Sequence, residues 1–74
     1  MVSLKEIWLG RIRRGGYIFY SWIGDHPPRH VHIVEDGRLI AKVELNDNLR
    51  VMQGMISNRI RRILSELIKE GLVK

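Results

Sequence analysis

His30-Val31-His32-Ile33-Val34-Glu35-Asp36-Gly37-Arg38-Leu39-Ile40-Ala41-Lys42-Val43-Glu44-Leu45 reads as two strands about a tight turn. Asp-Gly between runs of β-branched and aliphatic residues favours the positive φ angles of a two-residue hairpin turn. With Asp36-Gly37 at the tip, an unbroken ladder sets Val34 opposite Leu39, His32 opposite Ala41 and His30 opposite Val43 on one face. The other face then holds Val31 with Lys42, Ile33 with Ile40 and Glu35 with Arg38. Leu39, Ala41, Val43 and Leu45 alternate cleanly, so their face is the one expected to meet the core. In this register both histidines lie on that face.

Working outward, residues 17–23 are aromatic and β-branched and predict a strand. Gly15-Gly16 supplies its turn, and the segment before that, roughly residues 6–13, is expected to be the strand's partner. Ser3-x-x-Glu6 resembles a helix capping box, but Gly10 costs a helix about 1 kcal/mol against Ala. The C-terminal segment is helical. Ile60, Ile63, Leu64, Leu67 and Ile68 fall on one apolar stripe, Ser57 can cap the start, and Gly71 suits a left-handed ending with Leu72 as its hydrophobic contact. The fold class read from this is α+β. A four-stranded antiparallel sheet of two hairpins carries one C-terminal helix on one face, in a single domain over residues 1–74.

At 74 residues the chain has room for one small core. The absence of Cys excludes disulfide staples, thiolate metal sites and cysteine nucleophiles. No run is long and apolar enough to predict a membrane span, and the N-terminus lacks the apolar stretch of a signal peptide. A soluble cytoplasmic protein is the expectation. Thirteen Lys and Arg oppose eight Asp and Glu, for a net +5. The charge is uneven: +3 over residues 1–20, −2 over 21–49 and +4 over 50–74. That pattern suits attraction of a polyanion at the two ends, or simply solubility.

One helix covers one face, yet the strand at 17–23 is apolar on both. Tyr17, Phe19 and Ile23 point one way and Ile18, Tyr20 and Trp22 the other. A strand with one wet face should alternate. Ile18, Tyr20, Trp22, Ile33 and Ile40 are therefore the expected interface for a homodimer or a small partner protein.

All three histidines lie within Asp25-His26-Pro27-Pro28-Arg29-His30-Val31-His32. His30 and His32, two residues apart on a strand, share a face about 6.6–7 Å apart and can share a divalent metal if a third ligand approaches. His26 and Asp25 are the candidates for that third position. The same four residues could instead do acid–base chemistry near neutral pH, or the histidines could simply be hydrogen-bonded at the core edge.

The aromatic strand ending near Ser21, the Asp-His-Pro-Pro loop and His-Val-His-Ile resemble a bacterial domain-of-unknown-function family (DUF four-one-six-zero), with a Pro-Pro-His-Val-His-Val signature. The likeness runs from about Tyr17 to the end of the chain. Pro27, Pro28, His30 and His32 match, while Arg29 is an insertion. The resemblance implies genes in toxin–antitoxin-like pairs and carries no established catalytic residues.

Arg59, Arg61 and Arg62 crowd the start of the helix, where cations oppose its dipole and a bound phosphate would reverse the sign. With Arg29 they are the candidate nucleic-acid or anion contacts. Gly-rich phosphate loops, zinc-protease helices and nucleophile elbows do not occur. The function expected is a small interaction protein, one component of a toxin–antitoxin-like pair, binding a partner protein, with nucleic acid as a candidate second ligand. The alternative is a small metal-dependent or histidine-based nuclease or hydrolase.

Overall fold

The computed structural model describes residues 8–22, 27–46 and 48–73, without the side chains of residues 8–10 and 22. Strands β1 (Trp8–Arg14), β2 (Tyr17–Trp22), β3 (His30–Glu35), β4 (Arg38–Glu44) and β5 (Val51–Gly54) precede helix α1 (Asn58–Lys69). The strands form one antiparallel sheet in chain order. The α+β class holds, but the sheet has five strands and not four. The added β5 is four residues long and ends on a glycine, too short for an alternating pattern to announce it. Gly54 has φ +80°, and a Cβ there would stand 2.0 Å from the Ile40 carbonyl oxygen, so glycine lets β5 close against β4.

Both turns form where expected. Gly15 and Gly16 have φ of 64° and 87°, and Asp36 and Gly37 have 51° and 76°, the double left-handed geometry that suits strand twist. The register beyond the second turn differs from an unbroken ladder. Glu35 pairs with Arg38 and Val34 with Leu39, but Ile33 then pairs with Ala41, leaving Ile40 as a bulge. Every later pair shifts by one: His32 faces Lys42, Val31 faces Val43 and His30 faces Glu44. The cause is hydrophobic matching. Val31 and Ile33 are out of phase with Ala41 and Val43 across a two-residue turn, and one extra residue brings all four to the same face.

That face, with Tyr17 and Phe19, meets Ile60, Ile63, Leu64 and Leu67 of α1. Phe19, Ile33, Val43, Leu64 and Leu67 are wholly buried. Ile33 is therefore core and not interface, and Ile40 is half-buried against the same cluster. The histidines move to the opposite face, away from α1.

The helix is stopped at both ends by its own sequence. Ser57 Oγ accepts from the Ile60 amide at 3.1 Å. At the other end Gly71, at φ 77°, donates to Ile68 and Leu72 donates to Leu67, a Schellman ending. Leu72 itself stays exposed, and it is Val73 that joins the core. Arg14 grips Glu70 through two bonds of 2.6 and 2.9 Å, tying β1 to the end of α1. Among the described residues, no helix is long and apolar enough to cross a membrane.

Candidate functional site

The second face of the sheet is built by the residues that hydrophobic matching sends away from α1. Alternation along β2 puts Ile18 and Tyr20 there, and along β3 His30, His32 and Val34. His30 and His32 are only 8% and 6% exposed, so these two imidazoles are buried without the helix. The Tyr20 ring lies flat on His32, with centroids 4.7 Å apart and planes 7° off parallel. The His30 ring tilts against His32 at 4.9 Å.

Each ring is also held by a hydrogen bond. His30 Nδ1 donates to the Pro28 carbonyl at 2.8 Å, and His32 Nδ1 contacts the Tyr20 carbonyl at 3.4 Å. A carbonyl can only accept, so both bonds need the proton on Nδ1. In the neutral ring the lone pair then belongs to Nε2, the atom that would take a metal or a proton. Ser21, on the core side of β2, donates to the His30 carbonyl at 3.2 Å and fixes the β3 backbone behind the ring. Among the described residues, no buried side-chain polar atom lacks a partner.

Of the proposed ligand and acid–base set, the structure brings together His30 and His32. Asp25 and His26 lie outside the described residues. Among the described residues, no group of three His, Asp or Glu side chains is arranged to hold a metal ion. Two imidazoles alone are a partial coordination set for a divalent metal.

The candidate anion contacts do not converge. Arg29 is exposed on the approach to β3, where its carbonyl accepts from Leu45. Arg59 lies over the Tyr17 ring, 5.8 Å from its centroid. Arg61 donates to the carbonyls of Asn48 and Leu49, both at 3.2 Å, and so ties the loop before β5 to the helix. Arg62 is exposed on α1. Of the candidate interface residues, Ile18 and Tyr20 are half-buried on the second face, and the Trp22 side chain lies outside the described set.

Composition did not reveal a row of side chains crossing all five strands on this face. Arg11 pairs with Tyr20, Tyr20 with His32, His32 with Lys42 and Lys42 with Gln53. Directly paired residues share a face, so these five form one line. Burial grades along it: His32 at the centre is buried, Tyr20 and Lys42 are half-buried, and Arg11 and Gln53 are exposed. Beside the line, Arg13, Gly16, Ile18, Val34, Asp36 and Gly37 border a hollow of about 280 Å³. The signal for the row was the phase mismatch that forces the bulge.

The sequence model described as Domain of unknown function (DUF4160) matches residues 16–71, three quarters of the chain. No curated protein and no solved structure is significantly similar to it.

Proposed function

We propose that this chain, which belongs to the DUF4160 family of unknown function, is a non-enzymatic interaction protein and one component of a cytoplasmic toxin–antitoxin-like pair. Its binding surface is the second face of the sheet, and its ligands are a small partner protein and nucleic acid. The observation that supports this most is the half-exposed Tyr20, stacked on His32, with Arg11 of β1 on one side of that stack and Lys42 of β4 on the other. An aromatic ring locked by stacking presents contact area at little entropic cost, as binding surfaces require. Light scattering of the chain with the product of an adjacent small gene tests the reading. The wild type should gain mass over its 8.7 kDa, and Tyr20→Asp should not. A wild type that stays monomeric, alone and mixed, removes the proposal.

A second reading, a small histidine-based or metal-dependent nuclease, is favoured by the two imidazoles with their rings 4.9 Å apart. It requires His32→Ala to abolish cleavage while the fold survives. Failure of the wild type to cut RNA, DNA or cyclic nucleotides, with and without divalent metal, removes this reading.

A further inference from the structure

We infer that the row Arg11–Tyr20–His32–Lys42–Gln53 is a track for single-stranded nucleic acid, with a base stacked at Tyr20 and phosphates beside Arg11 and Lys42. This deepens the proposed function and rests on its assignment of the second face as the binding surface. The track runs across the strands, and five strands at about 4.8 Å spacing give it a length of roughly 19 Å. Sheets that read single strands carry two or three stacked bases on such a surface.

Three features select this occupant. The first is charge complementarity. The chain is net +5, and the row places Arg11 and Lys42 three strands apart, on either side of the Tyr20–His32 stack. Arg13 adds a further exposed cation opposite Ile18 in the next row. Glu44, the acid nearest in register, is held by Arg50 at 3.1 Å and by Asn46, and so opposes a phosphate less.

The second feature is the central stack. His32 backs the Tyr20 ring at 4.7 Å and restricts it, so less rotamer freedom is lost when a base arrives. Base–aromatic stacking tolerates sequence because every base has a π-face. The third is the graded burial, with a closed centre at His32, a half-buried Lys42 and exposed ends at Arg11 and Gln53. A duplex hides its base faces and would leave Tyr20 unused. An acidic protein would need only the cations.

Fluorescence anisotropy with labelled twelve-nucleotide oligo(U) and oligo(dT), a duplex of the same length and inorganic polyphosphate as competitor tests the track. Wild-type protein should bind both single strands more tightly than the duplex. Their ratio shows whether the 2′-hydroxyl is read. Tyr20→Leu should weaken the single strands by about 5- to 100-fold, as loss of one stacked base requires, while polyphosphate still competes for the protein as before. Tyr20→Phe keeps the ring and should retain binding, which separates lost stacking from a lost fold. Lys42→Gln should lower the salt slope by about one phosphate contact.

No binding at about 50 mM salt, a range in which phosphate contacts are strong, overturns the inference. So does a Tyr20→Leu loss equal for oligonucleotide and polyphosphate, which would mean charge alone. The mixed light-scattering experiment runs alongside. If the protein complex forms and oligonucleotides do not bind, the track falls and the interaction reading stands; if both fail, both fall.

Discussion

The two faces of this sheet are buried by opposite means. Toward α1, Phe19, Val31, Ile33, Ala41 and Val43 are excluded from water by aliphatic packing. Away from it, His30 and His32 are nearly as well excluded, with a tyrosine ring and backbone carbonyls among their contacts. The first arrangement is favoured by the hydrophobic effect wherever the volumes fit. The second is tolerated because, among the described residues, no buried side-chain polar atom lacks a partner, and it contributes less stability per residue. A fold of 74 residues that gives one face to such groups draws less of its stability from that face than from the α1 side.

Phe19→Ala should break the comparison on its stronger side. It removes a wholly buried ring and should cost about 3–5 kcal/mol, enough to unfold a small domain. Chemical denaturation would show it, and a loss under 1 kcal/mol would mean that α1 does not define the core.

Gly54→Ala attacks the device that divides the faces. The left-handed backbone alone costs about 1–3 kcal/mol, and the new Cβ would strike the Ile40 carbonyl at the bulge. Amide exchange in β5 should speed up more than exchange in β2. Equal protection would show that the bulge does not depend on that glycine.

His32→Ala sharpens the contrast from the polar side. It should cost about 1–3 kcal/mol, less than Phe19→Ala, since a stack and a long hydrogen bond are lost but no aliphatic core. Thermal melting of the two variants side by side ranks the faces directly.

Glu70→Gln should have the smallest effect. The paired Arg14 guanidinium holds the Glu70 carboxyl below its ordinary pKa through their hydrogen bonds, against an opposing desolvation, and Glu70 in turn raises that of Arg14. A lowered folded-state pKa gives stability that is complete above the unfolded value and is lost as pH falls through the folded one. Wild type and variant should thus differ slightly at neutral pH and converge in acid below the ordinary glutamate range. A gap that persists in acid would rule out the ion pair as its source.

Local chemistry made much of this legible in the sequence. Gly15-Gly16 and Asp36-Gly37 specify their turns through backbone angles, and Ser57 and Gly71 bound the helix through hydrogen bonds their residue types provide. The failures came where a distant partner decides. Val51 to Gly54 become a strand only because β4 offers an edge. Ile40 bulges because Ala41 and Val43 must meet Ile33 and Val31. That single extra residue carried His30 and His32 to the other face and turned Ile33 from a surface candidate into core. Of the candidate site, the structure brings His30 and His32 together, on the face opposite the one expected. Its cationic neighbours, Arg11 and Lys42, became visible only with the register.

The chain-order sheet has a kinetic consequence. Each strand pairs only with its neighbours in sequence, so the loops that must close are short and cheap in entropy. Low contact order of this kind speeds folding. The sheet can form hairpin by hairpin from its two glycine turns, whereas the docking of α1 needs contacts far apart in sequence and is expected to come last. Mutations in the Asp36-Gly37 hairpin should then slow folding, while Leu64→Ala should chiefly speed unfolding, a division that chevron kinetics can read. A protein built this way would assemble its second face before its core is sealed.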